Sequence, residues 1–163
     1  MAANEAARFL DAFQREHATT RKLVHAFPAE QSSFKPHERS STAFQLAWTF
    51  VIEERFILKT IKHEFSLGQG FPTPPATWAE VLAELDTVSS EIVTALRDPG
   101  TKLDGTVTFY TAPKQTGEIP SDQFMWFLLS DQIHHRGQLS VYVRMTGGKV
   151  PSIYGPSADE PWN

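Results

Sequence analysis

Along the first stretch of the chain, Phe9, Phe13, His17, Thr20 and Val24 recur at steps of three and four residues. That spacing is one face of a helix. It predicts a helix from about Asn4 to Phe27, closed by Pro28, whose ring clashes with the turn before it. A polar connector, Ala29–Ser40, follows. The second helix is expected to open near Ser40–Thr42, where hydroxyls can cap free backbone N–H groups. It continues through Ala43–Phe65 on Phe44, Leu46, Ala47, Trp48, Val51, Ile52, Phe56 and Ile61. The segment Gly68–Pro75 holds two glycines and three prolines, so it reads as a loop.

The third helix opens at Thr77-Trp78-Ala79-Glu80, a capping box in which each side chain satisfies the other residue's backbone donor. Val81, Leu82, Leu85, Val88, Ile92, Val93 and Leu96 form its apolar face, and Asp98-Pro99-Gly100 closes it. Between Gly100 and Pro120, Val107, Phe109 and Ala112 alternate with polar residues for a short span, the pattern of a small extended piece. The fourth helix follows Pro120, with Ser121 as the expected cap, and ends at Gly147-Gly148. The tail from Lys149 to Asn163 carries three prolines and orders only by docking on the body. Four such helices predict an all-α domain, a four-helix bundle, with connectors long enough for a crossover topology.

Composition narrows the function classes. A chain of 163 residues fits one domain, and 12 Phe with 4 Trp supply a bulky core. With no cysteine, disulfides, thiolate zinc sites and a cysteine nucleophile are all excluded. The absence suits a reducing cytoplasm, which is the expected location. No apolar run approaches the ~20 residues that span a bilayer. The net charge of −4 and a pI near 5.8, with no basic cluster, argue against nucleic-acid binding.

Candidate chemistry concentrates in Asp131-Gln-Ile-His-His-Arg-Gly-Gln138. Asp131 and His135 stand four apart on one helix face, near enough for both to reach one divalent ion. The same spacing also arises as an ordinary helix-stabilising pair. Gln138 and Tyr142 continue down that side and, with Trp48, are candidate pocket-lining residues. His134 is offset and reads as buried or supporting. Gly137, costly inside a helix, either serves close packing or is incidental. His17 on the first apolar stripe reads as a core histidine and as the outside candidate for completing a site. His25, His37 and His63 read as surface residues.

The run Asp131–Arg144, Asp-Gln-Ile-His-His-Arg-Gly-Gln-Leu-Ser-Val-Tyr-Val-Arg, resembles the last-helix motif of the DinB family, within the DinB/YfiT-like superfamily. The tail Val150–Glu160 is similar to that family's ending. The resemblance implies a bundle, often a homodimer, holding a divalent metal on three histidines, one from the second helix and an H-x-x-x-H pair from the last. His135 matches the second of that pair, and Asp131 stands where the first is usual. The second-helix histidine falls on Thr49, after Leu46-Ala47-Trp48.

A threonine hydroxyl is a poor ligand for zinc or nickel, the metals expected here. Glu53, one turn beyond Thr49, is the candidate to rebuild the set as Glu/Asp/His, or to act as general base. Glu54 points elsewhere and is the weaker candidate. Two functions stay open. One is a metal-dependent thiol transferase or hydrolase taking a small molecule or a low-molecular-weight thiol, with Asp131, His135 and Thr49 or a water about the ion. The other is a metal-free bundle serving as a binding or stress-related module, with Asp131 and His135 as a hydrogen-bonded pair.

Overall fold

The computed structural model describes residues 2–162, with side chains from Glu5 to Trp162. Four helices are present: α1 (Ala2–Ala26), α2 (Ala43–Ile61), α3 (Trp78–Arg97) and α4 (Ser121–Met145). Thr42 and Gln45 form a capping box at the start of α2, and Thr77 and Glu80 form another at α3. Both helices therefore begin where side-chain oxygens satisfy the first free N–H groups. Helix α2 ends four residues before the expected Phe65, because His63 takes a left-handed conformation (φ 57°). Single 3-10 turns at Ala29–Gln31 and Leu67–Gln69 lie in the connectors.

Ser121 does not cap α4. It is the first residue of the helix and is buried, and its backbone N–H donates to Gly105 O. The preceding proline provides the entry instead, since its fixed φ suits the turn into a helix.

The short extended piece is a hairpin, β1 (Thr106–Ala112) against β2 (Gln115–Pro120), antiparallel with an irregularity between Tyr110 and Ala112. Lys114 turns it with φ 61°. Val107 is its one fully buried residue, so alternation along β1 is faint. Phe109 anchors the hairpin by packing 4.8 Å, centroid to centroid, from Phe124 at the start of α4.

Helix α2 packs on α3 and α4, and α1 packs on the same two. The cyclic order is thus α1–α3–α2–α4, with α1 and α2 on a diagonal, and the first and third connectors cross over as their lengths allow. Phe9, Phe13 and Leu23 of α1 meet Phe50, Val51 and Ile57 of α2, Val81, Leu85 and Ile92 of α3, and Phe124, Met125 and Leu139 of α4 in one core. Burying each such side chain contributes about 1.5–3 kcal/mol.

The tail docks on the body. Asp159 accepts from Arg144 (2.6 Å) and from the Val150 N–H, while Glu160 accepts from Lys22 (2.5 Å) and the Ser152 N–H. No helix among the described residues is long and apolar enough to cross a membrane.

Candidate metal centre

Side chains from α2 and α4 converge where the two helices pack. Among the described residues, one ligand atom each from Glu53, Asp131 and His135 lie within 4.8 Å of one another. His135 Nε2 is 3.6 Å from Glu53 Oε1 and 3.7 Å from Asp131 Oδ2. Hydrogen bonds between such groups are shorter, about 2.7–3.2 Å. Ligands held about 2.1 Å from a tetrahedral ion lie about 3.4 Å apart, close to what is seen. The direct Asp131–His135 hydrogen bond that a metal-free pair would make is absent from these contacts.

The electrostatics agree. Glu53 Oε2 is buried with no hydrogen-bond partner. Burial first, then the carboxylates of Asp131 and Glu54, push the Glu53 carboxyl up from 4.5 to about 10. A buried acid with an unpartnered oxygen, facing a second carboxylate and an imidazole nitrogen, fits a cation.

Gln138 orients the imidazole. His135 Nδ1–H donates to Gln138 Oε1 at 3.1 Å, and the Gln138 amide donates to His134 Nε2 at 3.0 Å. With the proton on Nδ1, the Nε2 lone pair is left for the ion, the arrangement in which an outer hydrogen bond sets the tautomer of a ligating histidine. His134 is therefore an exposed link in this chain, neither buried nor a ligand. Gly137 is exposed, and a Cβ built there meets nothing within 4 Å, so close packing does not account for it.

Thr49 lies one turn before Glu53, but its hydroxyl donates to Gln45 O at 3.0 Å. His17 does not join the cluster of Glu53, Asp131 and His135. Its Nδ1 lies 2.8 Å from Glu54 Oε1, so the two form a pair across the α1–α2 diagonal, with Glu54 fully buried. Burial pushes the Glu54 carboxyl up, and the bond to His17 opposes this.

Two large polar residues of the α4 core escaped the reading of the sequence: Gln132, whose amide atoms have no partner, and Arg136. The Arg136 guanidinium donates to the Glu16 carboxylate (2.6 Å), to Glu16 O (3.0 Å) and to Tyr154 Oη. Gln132 and Arg136 stand on the line Leu128, Gln132, Arg136, Leu139, Val143, whose spacing alone places them inside.

A cleft of about 510 Å³ opens beside His135, walled by Pro36, Ser40, Ser41, Gln138, Val141 and Tyr142. Tyr142 Oη donates to Ser41 O at 3.1 Å, which ties the first connector to α4. Gln138 and Tyr142 line the cleft as expected. Trp48 does not; its indole N–H donates to Pro72 O.

Comparison with known proteins agrees with this architecture. The sequence profile of the DinB family matches residues 1–162. A Bacillus subtilis (strain 168) protein, YrdA, described as uncharacterized, is 28% identical over 156 residues, covering 93% of this chain and 89% of its own. A crystal structure of a DinB-like protein from Bacillus cereus ATCC 10987 superposes with a TM-score of 0.71 at 25% identity, covering 90% of this chain and 95% of the other. A second, the DinB-like protein YjoA from Bacillus subtilis, gives 0.70 at 19% identity, over 90% and 97%.

Proposed function

Starting from the fact that the chain belongs to the DinB family, we propose that it is a divalent-metal-dependent hydrolase whose ion is held by Glu53, Asp131 and His135. The carrying observation is the convergence of these three side chains at the buried Glu53 carboxyl, whose Oε2 has no hydrogen-bond partner. Two carboxylates and one imidazole form an oxygen-rich set, which suits zinc and extends the range toward manganese and iron(II). An ion bound there supplies acidity to a coordinated water.

The residues divide the remaining work. His135, oriented by Gln138, offers one fixed nitrogen. Glu53 can ligate through Oε1 and accept a proton at Oε2, which joins its two expected roles, ligand and base, in one side chain. Asp131 is the most exposed of the three, at 38%, and stands on the open side. Water is favoured over a low-molecular-weight thiol as nucleophile because soft sulfur ligands select softer sites than this one.

Metal content by plasma mass spectrometry, on protein purified without a metal-loading tag, tests the reading. Near-stoichiometric zinc, manganese or iron in the native chain, absent from His135→Ala, is the expected result. Gln138→Leu, which removes the acceptor of the His135 Nδ1–H, is expected to weaken binding about 10–100-fold. Trace metal unchanged by His135→Ala would overturn the metal reading and leave the metal-free binding module.

A further inference from the structure

We propose that the cleft beside His135 is the substrate pocket and that it takes an uncharged small molecule carrying an amide or ester, not an anion. The inference rests on the metal reading above and adds the charge and chemical class of what the site accepts.

Position comes first. His135 is both a ligand of the cluster and a wall of the cleft. Gln138, which orients it, lines the same space, so the cleft adjoins the centre at His135, while Glu53 and Asp131 are not among its walls.

Lining chemistry comes second. The other walls are the hydroxyls of Ser40 and Ser41, the Tyr142 phenol, and the apolar surfaces of Pro36 and Val141. Among the described residues no Lys, Arg, Asp or Glu lines it. The connector's cations stay outside these walls; Lys35 donates to Glu38 O. An anion placed there loses hydration and meets no compensating charge, whereas amides and hydroxyls find partners.

The ligand set points the same way. Three neutral imidazoles leave a divalent ion with its full charge, which attracts anions. With a divalent ion bound and Glu53 ionised, Glu53 and Asp131 would bring two negative charges and make the centre neutral overall. The hydrolysis that fits adds water across the scissile bond. A carbonyl carbon–oxygen bond forms, and the carbon–nitrogen or carbon–oxygen bond breaks. The leaving amine or alcohol takes one proton of the water, and no further reactant is needed.

The test uses two metal-chelating hydroxamates of one shape, succinamide hydroxamate ending in a carboxamide and succinate monohydroxamate ending in a carboxylate. Calorimetry is run on metal-loaded protein with metal content measured in parallel. The carboxamide compound is expected to bind about tenfold or more tightly than the carboxylate. Ser41→Lys, at an exposed position outside the ligand cluster, is expected to erase or invert that preference with metal content unchanged. Equal or tighter binding of the carboxylate by the native protein overturns the proposal, and so does a preference that Ser41→Lys leaves untouched. Either result stands apart from failure of the parent reading, because metal content reports that directly. A chain that takes up no metal overturns both.

Discussion

In the metal-free chain the Glu53 carboxyl keeps its proton far above the usual carboxylate range, because it is buried beside Asp131 and Glu54. The unfolded chain releases that proton near 4.5, and the folded chain holds it to about 10. The folded state therefore binds the extra proton, and the stability it contributes is fully present below 4.5 and lost progressively as pH rises toward 10. Thermal midpoints of metal-free protein between pH 5 and 9 are expected to fall more steeply in the native chain than in Glu53→Gln, which does not titrate. A metal titration is expected to run the other way, tightening with pH as the ion displaces this proton. Equal slopes for both proteins would show that Glu53 is ionised in the metal-free state. Asp131 and His135 were legible as a pair, because four residues within one helix fix their proximity. Glu53 was legible only as a candidate, since its reach to α4 depends on how α2 is rotated, which no spacing along one helix reports.

Helix α4 presents three faces at once, which is why its apolar pattern is the least regular of the four. One face is core, one carries Asp131 and His135, and one is exposed. Arg136 sits on the core face at 1% side-chain exposure, bound to Glu16 of α1. Removing one partner of a buried ion pair costs about 3–5 kcal/mol. Arg136→Ala is expected to lose that much in urea unfolding, with Arg136→Met, which keeps most of the volume but still strips Glu16 of its charge partner, losing somewhat less. A loss under about 1 kcal/mol for Arg136→Ala would mean the guanidinium does not hold α4 to α1. The helices themselves were readable from periodicity and capping residues. The hairpin was half-read, because strands with one buried position show little alternation, and Ser121 misled because a serine before an apolar run resembles a cap whether or not its hydroxyl is used.

At the scale of the whole molecule, the bundle places α1 opposite α2 and joins them through the His17–Glu54 contact across its centre. That contact was beyond sequence reasoning, since partners on a diagonal share no local spacing. The outer face of α4 leaves Phe127 and Met145 about half exposed, separated by about five helical turns and so aligned. The homodimer expected from the sequence is proposed to bury these two separated side chains, which lie on the same helical line as Asp131, His134 and Gln138. Sedimentation is expected to give twice 18.3 kDa for the native chain and 18.3 kDa for Phe127→Ser combined with Met145→Ser. A native species at 18.3 kDa removes the dimer.

The partners of Arg136 come from both ends of the chain: Glu16 lies 120 positions before it and Tyr154 lies 18 after. During synthesis the first helix leaves the ribosome long before its charge partner exists, and that partner waits in turn for the tail. The nascent chain therefore carries an unfinished interior until translation passes Tyr154. A ribosome paused before that point would hold a chain that proteases can attack.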